Sequence, residues 1–407
     1  MKVMQINCVY KRGSTGKIVY DIHSVLQEKG YTSIVCYGRG QNENGPNIFK
    51  TSSEFSAKLQ ALNARISGIQ YGSSFFSTNK LINLIKEEKP NIVHLQCING
   101  YFVNIYRLLN FLKKQNIQTV LTLHAEFMYT GGCGIAFDCE KWKSGCGKCP
   151  QLWNATKSVY FDRTDTAWDK MEKSFRDFDN LTIVSVSNWL DKRAKQSPFL
   201  KDKRFTVVKN GIDTKNVFHP VSFENLKKKH NLTNEKIIVH VTASFSNRLD
   251  DNKGGRYVIQ LAERLKNENV KIMVIGCRDN NMNLPGNIIN VGRTNNQNEL
   301  AAYYSMADLS LITSRRETFS MPCAESLSCG TPIVGFLAGG PETISLKDYS
   351  EFVKYGDIDA LEVAVKYWID KKADITVDLA KTATEYYSKE RMTRNYINLY
   401  TRLLKDN

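Results

Sequence analysis

The sequence lacks the features that place a protein in a membrane or on a secretory route. Its 407 residues contain no run of about 18 apolar residues, so no membrane-spanning helix is predicted. The opening segment MKVMQINCVYKRGSTGK has neither the apolar core nor the small-residue cleavage site of a signal peptide. No internal repeat and no low-complexity stretch is found. These absences predict a globular protein of the cytoplasm.

The composition is that of an ordinary globular protein, with 42% hydrophobic and 24% charged residues. A chain of 407 residues is long for one domain and suits two, each with a sizeable core. Ten cysteines in a protein expected in the cytosol indicate free thiols or metal ligands rather than disulfides.

The positive charge is concentrated in the first half of the chain. Residues 1–215 carry a net charge of +13 and residues 216–407 only +2. Scattered lysines usually serve solubility. The alternative is that the first half contacts an anionic partner, which would be nucleic acid, membrane phospholipid or a phosphorylated substrate.

Short apolar runs rich in β-branched residues alternate with helical patterns. Predicted strands in the first half are 2–10, 32–38, 91–97, 119–124, 181–187 and 205–211. A second series comprises 236–244, 270–277, 287–292, 308–314 and 331–336. Intervening helices are predicted at 16–30, 104–115, 188–196, 255–267 and 297–306, and helical segments follow from about 358. This alternation predicts parallel sheets in two doubly wound α/β domains, with the boundary near 209–220. Ligands are then expected at the carboxyl ends of the strands.

The segment RRETFSMPCAE, residues 315–325, follows one predicted strand and opens a helix at Pro322. It places one carboxylate, Glu317, in the loop and another, Glu325, in the predicted first helical turn. Three backbone N–H groups lie at the helix start, those of Phe319, Ser320 and Met321. A helix N-terminus binds phosphate well, so this geometry favours a nucleotide diphosphate whose sugars are held by the glutamates. The alternative is that Glu325 only complements the helix dipole.

This segment, followed by CGTPIVGFLAGGPE, resembles the donor-binding core of family 4 glycosyltransferases, and the resemblance extends over nearly the whole chain. It implies the GT-B architecture, two Rossmann-like domains facing across a cleft. The expected parts are an acceptor domain at 1–213 with a cysteine-rich loop at 131–150, a nucleotide-sugar domain at 214–385, and a final helix at 386–407 that returns to the first domain. In the family, the residue matching Glu317 contacts the transferred sugar, and the residue matching Glu325 binds the ribose.

Further positions match the family's pattern. In SFSNRLDDNKGG, Arg248 and Lys253 match the two cations that neutralise the leaving diphosphate. Gly16, in the loop KRGSTGK, matches a glycine that lets the backbone approach the substrate. His124 matches a histidine near the reacting sugar, with Glu126 in place of a frequent Asp. Ser320 departs from the family's usual Gly, which would cost energy if φ is positive there.

The resemblance implies a retaining hexosyltransferase without a catalytic metal. Its expected donor is a UDP- or GDP-sugar, and its acceptor a glycan or lipid-linked glycan in bacterial cell-surface polysaccharide synthesis. One alternative is a GT-B nucleotide-sugar epimerase, and another is a nucleic-acid-binding protein. No module with basic residues interleaved with stacking aromatics is found, so no nucleic-acid partner is expected.

The basic half also predicts contact with the anionic inner face of the plasma membrane, as a peripheral protein. The segment 188–204 is rich in lysine and arginine and offers Trp189, Phe199 and Leu200 as anchors. The alternative is a solvated helix face.

Four cysteines fall within 17 positions of the loop that follows His124: Cys133, Cys139, Cys146 and Cys149. The last two form a Cys-x-x-Cys half-site typical of zinc, whereas the first pair is more widely spaced than usual. We predict a structural Zn²⁺ held by the four thiolates, and four independent buried thiols are the alternative.

Overall fold

The computed structural model describes residues 1–279 and 281–405 and divides into two compact units. The first comprises Met1–Lys209 and the segment from Thr393 onward, and the second comprises Asn210–Met392. The division therefore falls four residues before the expected end of the first domain at 213.

The first unit is built on a seven-stranded, all-parallel sheet with the order β3-β2-β1-β4-β5-β6-β7. Its strands are β1 Lys2–Asn7, β2 Thr32–Tyr37, β3 Ile48–Lys50, β4 Ile92–Leu95, β5 Thr119–Leu123, β6 Leu181–Ser185 and β7 Arg204–Val207. The surrounding helices are α1 Gly13–Glu28, α2 Glu54–Ser67, α3 Phe75–Glu88, α4 Ile105–Lys114, α5 Thr164–Phe175 and α6 Asn188–Ala194. The central strands are buried on both faces, which accounts for their continuous apolar runs.

The second unit has a six-stranded, all-parallel sheet with the order β10-β9-β8-β11-β12-β13. Its strands are β8 Lys236–Val241, β9 Val270–Ile275, β10 Ile288–Gly292, β11 Leu309–Ile312, β12 Ile333–Phe336 and β13 Ser350–Val353. Its helices are α7 Glu224–Lys229, α8 Gly255–Arg264, α9 Gln297–Met306, α10 Met321–Ser328, α11 Gly340–Ile344, α12 Ile358–Trp368 and α13 Lys372–Tyr387, followed by α14 Lys389–Lys405.

These two parallel sheets confirm the prediction of two doubly wound α/β domains. All the predicted strands are present, each within a few residues of its expected bounds. The edge strands β3 and β13 were not predicted, because three or four half-buried residues leave little periodic signal. The helices α2, α3, α5, α7 and α11 were also not predicted. No helix in the described part of the chain is long and apolar enough to span a bilayer.

The second unit is closed where its first and last segments meet. The N–H of Ile212 donates to the carbonyl of Tyr387 at 2.8 Å, and the N–H of Lys389 donates to the carbonyl of Ile212 at 2.9 Å. The ammonium of Lys389 also lies 2.7 Å from the Asp213 carboxylate. These bonds explain why residues 210–213 belong to the second unit rather than to the first.

The later part of α14 packs on the sheet of the first unit through a buried polar network. His94 Nδ1 lies 2.6 Å from the Tyr400 hydroxyl, and its Nε2 lies 2.8 Å from the Thr122 hydroxyl. The Tyr396 hydroxyl lies 3.0 Å from the same threonine. His94 is fully buried, and both ring nitrogens are used within this network. We therefore assign it a structural role, because it ties α14 to β4 and β5.

The burial of His94 predicts a pH dependence of stability. Burial lowers the pKa of His94 from 6.5 to about 3. Between these pH values the unfolded chain binds a proton that the folded chain does not. The free energy of unfolding should therefore fall as the pH falls through this window, by about 1.4 kcal/mol per pH unit for this one group.

Urea unfolding followed by near-UV circular dichroism between pH 7 and 4.5 measures this slope. His94→Gln should lower the free energy of unfolding at all pH values. It should also reduce the dependence of that free energy on pH by the contribution of about one proton. An unchanged slope in that variant would show that His94 is charged in the folded protein.

Candidate active site

Two side chains from different crossovers of the second unit form an ion pair at the carboxyl edge of its sheet. The Lys253 ammonium, in the loop after β8, lies 2.6 Å from Glu317 Oε1, in the loop after β11. The Ser314 hydroxyl donates to the same oxygen at 2.7 Å. The side chain of Glu317 is 14% exposed and that of Lys253 is 35% exposed. The pair is therefore accessible to a ligand at this edge.

The two loops are locked together by backbone contacts that sequence reasoning did not anticipate. The side chain of Asn252 donates to the carbonyl of Arg316 at 2.9 Å and accepts from the N–H of the same residue at 3.0 Å. The Thr313 hydroxyl donates to the carbonyl of Lys253 at 2.8 Å. Gly254 adopts φ +70°, and a Cβ there would lie 2.1 Å from the Thr313 carbonyl oxygen. The ion pair therefore sits on a rigid support.

The loop after β12 packs against the backbone of the Glu317 loop. The N–H of Glu317 donates to the carbonyl of Ala338, and the N–H of Gly340 donates to the carbonyl of Glu317. A Cβ on Gly340 would lie 2.5 Å from the Phe319 nitrogen, so only glycine fits this contact. The Glu342 carboxylate accepts from two N–H groups of the same loop, those of Ala338 and Gly339.

Helix α10 begins at Met321, with Pro322 as its second residue. Phe319 is buried, with 4% of its surface exposed. Ser320 precedes the helix at φ +83°, and its hydroxyl makes no capping bond. The strain expected at this departure from glycine is therefore present. The N–H groups of Phe319, Ser320 and Met321 lie at the start of α10, as predicted from the sequence.

Glu325 lies in the second turn of α10 rather than in the first, because the helix begins at Met321, one residue before the predicted start at Pro322. Its Oε2 accepts from the buried Tyr304 hydroxyl at 3.2 Å. Tyr304 comes from α9 and was not identified from the sequence. The carboxylate is therefore oriented by a neighbouring helix rather than placed at the helix terminus.

Arg248 is not brought to the ion pair in this structure. Its guanidinium is paired with Asp250 at 2.9 Å, and its side chain is 73% exposed. Its assignment as a second cation for the diphosphate stays a prediction. Lys253 contacts Glu317 directly and Arg248 does not.

In the first unit, His124 directly follows β5 and belongs to a chain of side-chain hydrogen bonds. Its Nε2 lies 2.9 Å from Gln96 Oε1, and Gln96 Nε2 donates to Gln5 Oε1 at 3.3 Å. Gln5 Nε2 donates in turn to the carbonyl of Val19 at 3.2 Å. A carbonyl can only accept, so the chain has one direction, in which His124 donates from Nε2–H.

Burial lowers the pKa of His124 from 6.5 to about 4. The ring is therefore neutral near pH 7, with Nε2 protonated and Nδ1 as the acceptor nitrogen. Such a ring can orient a sugar hydroxyl, but it is a poor proton donor at neutral pH. Gln96 and Gln5 were not identified from the sequence.

Gly16 lies in the first turns of α1 rather than in a loop, since the helix begins at Gly13. A Cβ on Gly16 would lie 3.2 Å from Val9 and 3.3 Å from the Lys11 nitrogen. The N–H of Lys11 donates to the Gly16 carbonyl at 3.0 Å. Gly16 therefore lets α1 pack closely on the loop after β1. Its contact with a donor stays a prediction.

Glu126 is fully buried and organises the loop that follows His124. Its carboxylate accepts from Arg193 Nε at 2.7 Å, the Tyr129 hydroxyl at 2.9 Å and the N–H of Ala136 at 2.7 Å. The Arg193 guanidinium lies 5.1 Å from the Trp142 ring centroid. With its oxygens used in this way, Glu126 has a structural role.

The four cysteines of this loop line one small cavity of about 20 Å³. The N–H of Gly131 donates to the sulfur of Cys146 at 3.2 Å. Burial raises the pKa of Cys133 to about 12 and that of Cys146 to about 11, so as free thiols they are poor nucleophiles. Among residues 1–279 and 281–405, no group of three or more histidine, cysteine or acidic side chains is arranged to hold a metal ion.

The structure corrects the prediction that segment 188–204 offers apolar membrane anchors. Leu200 is fully buried and Phe199 is 8% exposed. The Phe199 ring stacks on Phe175 and meets the edge of Trp168. Trp189 is half-buried, with the Arg193 guanidinium 5.2 Å from its ring centroid. Phe199 and Leu200 therefore serve the core and cannot insert into a bilayer, whereas the role of Trp189 as an anchor stays a prediction.

Both halves of the chain match models of known glycosyltransferase families. Residues 15–216 match the model "Glycosyltransferase Family 4", and residues 222–388 match "Glycosyl transferases group 1". A curated relative, the putative colanic acid biosynthesis glycosyl transferase WcaC of Escherichia coli K12, is 21% identical over 418 residues, covering 99% of this chain and all of the relative.

Solved glycosyltransferase structures share the fold over the full chain. A glycosyltransferase from Rickettsia africae has a TM-score of 0.66 at 16% identity, covering 100% of this chain and 99% of that one. Anabaena HepE in complex with UDP-glucose has a TM-score of 0.63 at 15% identity, with both chains fully covered. At these identities the likeness establishes the GT-B fold, with its two Rossmann-like units.

The positive φ of Ser320 predicts that glycine at this position stabilises the protein. A non-glycine residue in this region costs roughly 1–3 kcal/mol, and the freer unfolded state of a glycine returns roughly 0.4–1 kcal/mol. We expect Ser320→Gly to raise the free energy of unfolding by about 1 kcal/mol, measured by urea denaturation.

Ser345→Gly is the matched control, because Ser345 lies in the same unit at φ −70°. There the substitution should destabilise. If both variants lose stability equally, Ser320 is not strained.

Proposed function

Because the chain is a family 4-like glycosyltransferase of the GT-B fold, we propose that it transfers a hexosyl unit, with retention, from a nucleotide sugar to a lipid-linked glycan. The pathway proposed is cell-surface polysaccharide synthesis, on the analogy of the colanic acid relative. The observation that carries the proposal is the Lys253–Glu317 pair at the carboxyl edge of the second sheet.

The donor is proposed to bind the second unit with its diphosphate at the start of α10. The N–H groups of Phe319, Ser320 and Met321 and the Lys253 ammonium supply positive potential there. Glu325, oriented by Tyr304, accepts from the ribose hydroxyls. A UDP-sugar is favoured over a GDP-sugar by analogy with the UDP-glucose complex of the structural neighbour.

Glu317 is proposed to bind the transferred sugar. Lys253 and Ser314 both contact its Oε1, which supports a role for Oε2 as the acceptor of a hydrogen bond from a sugar hydroxyl. As the glycosidic bond breaks, negative charge grows on the leaving diphosphate, and Lys253 stabilises it. Arg248 would contribute a second cation if its exposed loop turned from Asp250 to the diphosphate.

The chemical step proposed is front-face substitution, with the leaving diphosphate accepting the proton of the acceptor hydroxyl. Neutral His124 orients the sugar through a hydrogen bond, while positioning and charge stabilisation account for the rate. Lys253 takes the place that a divalent cation has in metal-dependent transferases, so transfer is proposed to need no catalytic metal.

Substitution of the two glutamates separates their proposed roles. Glu317→Gln should lower kcat roughly 10²–10³-fold and leave UDP affinity unchanged or higher, because Lys253 loses its neutralising partner. Glu325→Gln should weaken UDP roughly tenfold through lost ribose contacts. Calorimetry with UDP and GDP gives affinities, and product analysis with and without acceptor distinguishes transfer from epimerisation.

Glu263→Gln, at an exposed position of α8, is the matched control and should leave both quantities unchanged. Equal weakening of bare UDP by both active-site variants would contradict the division of roles. Loss of transfer in EDTA, restored by Mg²⁺ or Mn²⁺, would contradict the metal-free mechanism.

A further inference from the structure

An exposed apolar surface lies on the first unit, formed by α2, the start of α3 and residues 153–161. We call it the apolar patch. Ten of the sixteen large hydrophobic side chains exposed among the described residues belong to it: Phe55, Leu59, Leu62, Ile66, Phe75, Phe76, Trp153, Val159, Tyr160 and Phe161. Single exposed apolar residues are normal, but such a concentration marks an interaction surface.

Helix α2 shows the reverse of the usual amphipathic arrangement. Its exposed large residues recur at intervals of four, three and four, so Phe55, Leu59, Leu62 and Ile66 form one stripe on the helix. The buried side chains on the opposite face are alanines, Ala57 and Ala64. The helix therefore packs on its unit through small residues and presents its large ones to the surroundings.

The parts of the apolar patch are joined to one another. The N–H of Ser74, before α3, donates to Gln60 Oε1 of α2 at 3.3 Å. The N–H of Val159 donates to the carbonyl of Arg65 at 2.9 Å. A Cβ on Gly68, which ends α2, would lie 2.4 Å from the carbonyl oxygen of Phe161. The patch is thus a continuous surface rather than a set of separate exposed residues.

Basic side chains surround this patch. Lys58 and Arg65 flank the α2 stripe, and the only acidic residue of that helix, Glu54, is paired with Arg39. Lys157 and Arg163 are exposed on the adjoining segment.

A groove between α3, α4 and α5, the basic groove, adjoins the patch at Phe75. Its lining includes five basic residues and no acidic one, the basic ones being Lys86, Arg107, Lys114, Lys170 and Lys173. The Arg107 guanidinium lies 5.8 Å from the Phe75 ring centroid. The basic groove therefore joins the apolar patch at Phe75, and its five basic side chains line the same open space.

We propose that the apolar patch and the basic groove dock the first unit on a bilayer containing anionic phospholipid. The α2 stripe would enter the headgroup–acyl boundary, where Lys58 and Arg65 extend to the phosphates. The basic groove would bind further headgroups. A second copy of this chain fits less well, because it would set one basic rim against another.

This surface replaces segment 188–204 as the membrane contact. It goes beyond the proposed transfer reaction and does not depend on it, since docking can be measured without any donor or acceptor. A failure of docking would leave the proposed chemistry untouched, and a failure of the chemistry would leave docking untouched.

Co-sedimentation with vesicles tests the proposal on the full chain. Vesicles of 7:3 phosphatidylcholine:phosphatidylglycerol should pellet the protein at low salt, and pure phosphatidylcholine should pellet much less. Leu59→Gln/Leu62→Gln should lower partitioning about tenfold or more. Lys170→Glu/Lys173→Glu should abolish the preference for anionic vesicles. Val363→Gln/Val377→Gln, at exposed apolar sites of the second unit, should bind as the wild type does.

Because all the substituted side chains are exposed, each variant should unfold at the wild-type temperature, which calorimetry checks. Equal binding of the wild type and Leu59→Gln/Leu62→Gln overturns the proposal. It is also overturned if the wild type ignores vesicles and instead forms a dimer that this variant loses, which would show that the patch serves self-association.

The cysteine cavity carries a second, independent inference. All four cysteines of the loop line a space of about 20 Å³, which has room for one ion but not for an organic ligand. The Gly131 N–H already donates to the Cys146 sulfur, a contact that also stabilises a thiolate.

We infer that Cys133, Cys139, Cys146 and Cys149 bind one structural Zn²⁺, each thiol releasing its proton to solvent. The sulfurs line the cavity without yet converging, so binding requires them to close on the ion. Rotation about χ1 is the motion by which a cysteine moves its sulfur.

Metal analysis of protein purified without added zinc tests this inference. The wild type and Cys8→Ser should each contain about one zinc per chain, and Cys139→Ser/Cys149→Ser should contain almost none. The Co²⁺-substituted wild type should show tetrahedral thiolate absorption. A wild-type content below about 0.2 zinc per chain overturns the inference, as does full retention of zinc by the double variant or a native disulfide within the loop.

Discussion

Parallel strand pairing is the constraint on which the rest of this structure depends. Parallel neighbours cannot be joined by a tight turn, so each return of the chain passes through a crossover, and all strands of a sheet end at the same edge. In the second unit this brings Lys253 to Glu317 across 64 residues of sequence, with Gly340 packed on the same loop. In the first unit it places His124 beside Gln96, at the ends of two paired strands.

Buried polar side chains then hold these edges in place, because an unpaired polar group in the interior costs more than a paired one. Glu126 and Arg193 illustrate the point. The Arg193 guanidinium lies near the rings of both Trp142 and Trp189, and the Glu126 carboxylate accepts from the N–H of Ala136 in the cysteine-rich loop. His94 performs a similar task for α14. Such residues look catalytic in a sequence, since histidines and glutamates at strand ends often are, yet their bonds are all internal.

Charge and burial act differently on the surface of the first unit. The excess of lysine and arginine in residues 1–215 indicated an anionic partner, and segment 188–204 combined that charge with aromatic residues. The fold turns Phe199 and Leu200 into the core and leaves the large residues of α2 outside. Whether an apolar residue is an anchor or a core residue depends on which side of its segment packs against the rest of the unit. Composition carries no information about that choice.

The sequence by itself determined the fold class, because buried parallel strands need long β-branched runs that alternate with helices, and this pattern is local. It also determined which residues follow each strand, and hence the candidates Lys253, Glu317 and His124. Tertiary structure alone decided that Lys253 pairs with Glu317 and His124 with Gln96, since these contacts join residues that are distant in sequence. It likewise decided that Arg248 lies on Asp250 and that α2 faces outward, because side-chain direction depends on packing between elements and not on spacing within one.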